Sequence, residues 1–268
     1  MRFCIVGSGR CGTSLLRRTL DSHPDVFVHR ETHWFPRMYE YAGMGKCSPA
    51  ELAHIFLKTT HTTGAPVVPL SQDELDDIFR DKDDITVREF CDGVGYHMAR
   101  LENKSIWADK TPDYGFFMQQ IQTVWPQCKF LHIIRNGLNV ALSMSKHPGF
   151  QWIVTSGEAT WCSAAFNNYY SVIEATPQPL SGYLNRWQHA IRRTRDEATR
   201  IPASNYTEIF YEDLIADPGT ALEGISDFVG ISRDADWLST LEAMINPTKR
   251  STALDHSLLE GAPQRPSH

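Results

Sequence analysis

Apolar and polar positions follow two alternating rhythms along this chain. Short apolar runs at Met1–Val6, Val26–Val28, Ser105–Ala108, Lys129–Ile134 and Tyr206–Phe210 read as strands, the fourth being the clearest buried one. Between them apolar residues recur at helical spacing. The segments are Thr13 to about Ser22, Trp34–Tyr39, 49–60, 86–102, Tyr114–Val124, Leu138–Lys146 and, with a proline break near 177–179, Thr160–Arg200. Tyr211-Glu212-Asp213-Leu214 opens the last helices. The stretch with Pro66, Pro69 and many Asp residues carries neither rhythm and reads as a surface excursion. Strands alternating with helices predict an α/β fold of three layers, with a central, mostly parallel sheet. In such sheets ligands bind at the C-terminal ends of the strands.

Size and composition narrow this picture. At 268 residues with no Ser/Gly/Pro-rich linker, a single domain over 1–268 is expected, with a loose tail from about residue 261. The net charge of −6 disfavours general nucleic-acid binding but leaves room for a local basic pocket. The six cysteines (4, 11, 47, 91, 128 and 162) have neither metal-ligand nor redox spacing, so no metal site is expected. With no signal peptide and no apolar stretch of bilayer length, the expectation is a cytoplasmic protein without a membrane span, its Asn103 and Asn205 sequons unused.

The strand ends carry the chemistry. The first strand runs into Gly7-Ser8-Gly9-Arg10-Cys11-Gly12-Thr13-Ser14 and then a helix, the order of a phosphate-binding loop. Thr13 stands where a nucleoside-triphosphate loop needs its Lys, and Arg10 is the cation inside the turn. Backbone N–H groups from Arg10 to Ser14, with the Thr13 and Ser14 hydroxyls, would cradle a phosphate. Cys11, at a helix start, is read as filling the loop rather than as a nucleophile. The best buried strand ends in Arg135, where a metal-dependent NTPase would place an Asp. Arg binds phosphate bidentately, and Ser143, about two turns on, can face the same side. Glu31, Asp109 and Lys110 lie at two further strand ends.

Together these motifs resemble the sulfotransferases that use 3′-phosphoadenosine-5′-phosphosulfate (PAPS). Gly7–Ser14, including Gly9 and Gly12, is similar to their 5′-phosphosulfate loop. Ile134-Arg135-Asn136-Gly137 with Ser143 is similar to their 3′-phosphate motif, although Gly137 replaces the usual proline. Glu31-Thr32-His33-Trp34-Phe35-Pro36-Arg37 resembles the segment that carries the general base in tyrosylprotein and heparan sulfotransferases. Tyr211-Glu212-Asp213-Leu214 matches a late helix, and Lys249-Arg250-Ser251-Thr252 resembles a C-terminal cofactor loop. Lys146-His147 stands where the tyrosylprotein group has a further Arg.

The resemblance implies sulfuryl transfer from PAPS to an acceptor hydroxyl or amine, leaving 3′,5′-adenosine bisphosphate, without metal. It assigns Glu31 as base, Arg10 to the leaving phosphate and Lys110 to the transferring group or acceptor. Gly9, Arg10, Cys11, Gly12, Thr13, Ser14, Arg135, Ser143, Tyr211, Lys249, Arg250 and Ser251 would hold the donor. Asp109, His29 and His33 are alternative bases, and among the aromatics Trp34 is expected to face the acceptor pocket. The acceptor, whether small metabolite, lipid, saccharide or peptide, stays open, as does a homodimer. A P-loop kinase and a non-catalytic adenine-nucleotide-binding protein are the competing readings.

Overall fold

The computed structural model describes residues 1–61, 63–166, 174–233 and 236–237. Five parallel strands form the central sheet: β1 (Phe3–Gly7), β2 (Val26–His29), β5 (Ile106–Lys110), β6 (Lys129–Ile134) and β7 (Tyr206–Phe210), in the order β2-β5-β1-β6-β7. A two-residue antiparallel pair, β3 (Lys46–Cys47) with β4 (Ile85–Thr86), lies apart from it. The helices are α1 (Thr13–Asp21), α2 (Phe35–Ala42), α3 (Pro49–Lys58), α4 (Gln72–Ile78), α5 (Val87–Leu101), α6 (Met118–Val124), α7 (Gly137–Ser145), α8 (Pro148–Ser156), α9 (Trp161–Ala165), α10 (Leu180–Ala198), α11 (Tyr211–Ala216) and α12 (Pro218–Val229).

Strand periodicity divides the core in two. Cys4 and Val6 of β1 point to a face covered by α2, α3, α5 and α6, with Phe56, Phe90 and Trp107. Phe3 and Ile5 point to the opposite face, covered by α1, α7, α8, α11 and α12. Both faces are apolar, as a parallel sheet requires. None of the described helices is long and apolar enough to cross a membrane.

The strands fall where the apolar runs predict them, and four expectations change. β5 extends through Asp109 and Lys110, because Cys4 and Ile5 of β1 pair with them. Pro112–Phe116 forms a 3-10 turn rather than the start of a helix, its Gly115 lying against Thr194. The stretch around Pro66 and Pro69 buries Val67, Val68 and Leu70 and leads into α4. Ser71 and Glu74 form a capping box there, a signal present in the sequence. The helical stretch expected over Thr160–Arg200 gives α9 and α10 among the described residues, and the break expected near 177–179 is present but wider, with 174–179 non-helical. Lys249, Arg250, Ser251 and the tail from 261 lie outside the described residues.

Candidate functional site

β1 delivers the chain to a turn that uses left-handed backbone three times, at Gly9 (φ +73°), Arg10 (φ +54°) and Gly12 (φ +106°). A side chain at Gly9 would come within 2.6 Å of Phe150, and one at Gly12 would collide with Tyr211. Gly12 is also the N-cap of α1 and has no side chain to accept the first-turn N–H groups. That helix start therefore offers donors and the positive end of its dipole to an anion.

A cleft of about 610 Å³ opens over this turn at the C-terminal ends of the strands. Gly9, Arg10, Gly12, Thr13, Ser14 and Leu15 form one wall. Arg135, Ser143 and Tyr211 stand beside them, and Glu31 and His33 lie across. Arg10 Nε donates to Ser143 Oγ at 3.1 Å. The Arg135 guanidinium lies over the Tyr211 ring, 4.5 Å from its centroid. Its Nε is buried and has no hydrogen-bond partner among the described residues. A buried charged donor left open in this way fits a bound anion. Asn136 caps α7, accepting from the Leu138 and Asn139 amides at 3.1 and 3.3 Å, while its own N–H donates to Glu212 at 3.0 Å. Gly137 stands where the motif usually has proline because a side chain there would come within 2.7 Å of Trp187.

The opposite wall is a charged cluster. Lys110 Nζ, 5 % exposed, donates to Glu31 Oε1 at 2.5 Å. His33 Nε2 lies 3.6 Å from Glu31 Oε2, and His33 Nδ1 lies 3.7 Å from Cys162 Sγ. Burial pushes the Glu31 carboxyl up, but the Lys110 charge and then His33 outweigh it and hold the group well below the usual carboxylate range. Thr32 pegs this wall. Its N–H donates to Thr111 Oγ1 at 2.8 Å, and its hydroxyl donates to Asp109 Oδ2 at 2.7 Å with the Tyr114 hydroxyl 2.6 Å away. Burial raises Asp109 to about 7 against the opposing hydrogen bonds of Thr111 and Thr32.

The family model described as the sulfotransferase family matches residues 3–235, a span that includes both walls of the cleft. The chain belongs to the sulfotransferase family. This sulfotransferase-family chain is 24% identical over 230 residues to protein-tyrosine sulfotransferase A of Caenorhabditis elegans, covering 86% of its own length and 50% of that protein. It is 22% identical to the protein-tyrosine sulfotransferase of Drosophila melanogaster, covering 85% of its own length and 37% of that protein. It thus spans half or less of the curated relatives it matches. The sulfotransferase domain from the curacin biosynthetic pathway shares the fold with a TM-score of 0.58 at 16% identity, over 88% of this chain and 75% of that one. The sulfotransferase domain of the Synechococcus PCC 7002 olefin synthase gives 0.50 at 20%, over 96% and 82%.

Within the sulfotransferase-family cleft the motif residues separate by position. Gly9, Arg10, Gly12, Thr13, Ser14, Glu31, Arg135, Ser143 and Tyr211 line it, and Lys110 stands behind Glu31. Cys11 does not line it. Its side chain is fully buried beneath Gly7, and burial pushes its thiol up, away from nucleophile chemistry. Asp109 is committed to Thr32 and Thr111. His29 is buried in the core, edge-on to Phe27, and burial lowers it to about 3. Trp34 does not line the cleft. Its ring, 3 % exposed, packs 4.8 Å from Phe56 in the core, because the turn after Glu31 directs it under the sheet end. Trp161 and Phe150, 5.4 Å apart and edge-on, line the cleft instead. His61, Thr63 and His147 also line it, and no sequence motif marked their roles. His147 occupies the helix-end position already noted as departing from the tyrosylprotein pattern.

Proposed function

We propose that this chain transfers a sulfuryl group from PAPS to an acceptor hydroxyl. The observation that carries the reading is the pairing of two anion-binding features in one cleft. One is a backbone cradle without a loop Lys. The other is Arg135, whose buried Nε lacks a partner among the described residues. The cradle with Arg10 would take the 5′-phosphosulfate, and Arg135 with Ser143 the 3′-phosphate. Tyr211 supports Arg135 from below.

In the transfer, the acceptor oxygen forms a bond to sulfur as the bond from sulfur to the bridging phosphate oxygen breaks. Negative charge collects on that bridging oxygen, where Arg10 stabilises it as a fixed cation. The acceptor proton goes to Glu31, the carboxylate that faces the cleft. Lys110 neutralises Glu31 before the donor binds and reaches the sulfuryl oxygens once it is there. The leaving group is 3′,5′-adenosine bisphosphate. The names of the curated relatives make a tyrosyl hydroxyl of a protein the first acceptor to test.

Calorimetry with 3′,5′-adenosine bisphosphate, without Mg²⁺, tests the donor site. At 100 times Kd the nucleotide should stabilise the fold by about 2.7 kcal/mol. Equal or tighter binding of Mg-ATP would replace this reading with a kinase. Labelled PAPS offered with tyrosyl peptides, saccharides and small alcohols then identifies the acceptor.

A further inference from the structure

Glu31 has a neighbour at each oxygen, a short hydrogen bond at one and a 3.6 Å approach at the other, and the second leads away from the cleft. Lys110 holds Oε1, and His33 faces Oε2. His33 is 4 % exposed, and its other nitrogen meets the thiol of Cys162, a residue of α9 that does not line the cleft. A neutral imidazole carries one N–H and one bare nitrogen, and its neighbours select which is which.

We propose that Cys162 fixes the proton of His33 on Nε2, and that His33 thereby holds the Glu31 carboxylate in the orientation from which it accepts the acceptor proton. The inference rests on Glu31 being the base. Cys162 is buried, and its thiol is pushed well above the ordinary range by that burial and by the charges of Asp113, Asp109 and Glu31. It therefore keeps its S–H, a donor, and His33 Nδ1 is the acceptor that faces it. The N–H is left on Nε2, pointed at the carboxylate. With the opposite tautomer, Nε2 would present a lone pair to an anion.

The backbone agrees with a built position. His33 sits at φ +60°, a left-handed conformation that a non-glycine residue adopts only when its surroundings hold it there. The preceding Thr32, tied to Asp109, Thr111 and Tyr114, holds it there. His33 and Cys162 are thus positioning residues, with Cys162 acting only through His33.

Two-bond ¹H–¹⁵N correlation spectra of the histidine rings test the first step without any acceptor, His33→Asn serving to assign the signal. The wild type should show His33 protonated at Nε2. Cys162→Ser should keep that tautomer, and Cys162→Ala should populate the Nδ1–H form. A wild-type His33 protonated at Nδ1, or a Cys162→Ala spectrum identical to wild type, overturns the proposal.

Turnover tests the second step. Cys162→Ala should lower kcat about tenfold, within the ~10²-fold that a 1 Å misplacement can cost, with the donor KM unchanged. Cys162→Ser should restore most of it. In a Glu31→Gln background, Cys162→Ala should have no further effect. An equal loss in both backgrounds would reduce Cys162 to a packing residue. If Glu31→Gln alone stays active, the base assignment fails, and the ring spectra still report on the tautomer.

Discussion

The loop wall of the cleft comes from one contiguous turn after β1, joined by the end of β6. The carboxylate wall draws Glu31 and His33 from the end of β2, Lys110 from β5 and Cys162 from α9. The first wall works mostly through backbone: left-handed glycines, helix-start N–H groups and one guanidinium whose Nε is buried. The second works through side chains that hold one another, with Thr32 and Asp109 as its floor. A wall of backbone donors recognises any phosphate-like group and tolerates change in side chains. A wall of interlocked side chains sets proton chemistry and loses function when one member changes.

That contrast predicts where mutation divides binding from turnover. The largest effect belongs to Glu31→Gln. It should lower kcat by about 10²–10⁴-fold and leave the affinity for 3′,5′-adenosine bisphosphate near wild type. Because Lys110 and His33 hold this carboxyl well below its usual range in the free protein, the acid limb of the wild-type kcat/KM for the donor should also lie below that range. A steady-state pH profile together with calorimetry measures both. If the variant loses donor affinity and keeps its rate, the two walls do not divide the labour.

Next in size, Arg135→Ala should weaken 3′,5′-adenosine bisphosphate by about 1.5–3 kcal/mol, the range of a charged hydrogen-bonded contact, and change the bound-state rate less. Normal nucleotide affinity by calorimetry would remove the 3′-phosphate from this pocket.

The last effect is of a different kind, on stability rather than on binding or turnover, in the floor of the carboxylate wall. Asp109 is raised to about 7 in the folded state, from an ordinary value near 3.8. Between these limits the folded protein holds a proton that the unfolded chain has lost. The contribution of Asp109 is therefore full at low pH and declines as pH rises through about 7, by up to ~1.4 kcal/mol per pH unit. Asp109→Asn should flatten that decline in urea unfolding at pH 5 and pH 8 while slowing transfer less than Glu31→Gln does. A variant that keeps the wild-type slope would show that another group carries it.

The loop wall was legible in the sequence because its parts are neighbours in the chain, and glycine spacing encodes a backbone path. The β6 strand and Arg135 were legible because an apolar run marks where it stops. The carboxylate wall was legible in Glu31 and Lys110, with His33 and Asp109 marked only as alternative bases and not as partners that hold Glu31. Cys162 meets His33 only after α9 folds back, and no local pattern records that meeting. Trp34 misled because an aromatic beside a strand-end Glu looks like a pocket wall. Its packing partner Phe56 comes from α3, on the far side of the chain reversal. Trp161 was one aromatic candidate among several and could not be singled out, since its place over the cleft is set by its backbone N–H donating to Asp113, far away in sequence.

Gly12 and Tyr211 occupy adjoining space, and Tyr211 in turn lies against Arg135. A methyl group at position 12 would push the Tyr211 ring into the guanidinium, so a change in the first phosphate loop would be felt at the second pocket. Glycine at position 12 is thus held twice, by the Tyr211 ring and by its own left-handed φ of +106°, and a smaller residue 211 would release only the first hold.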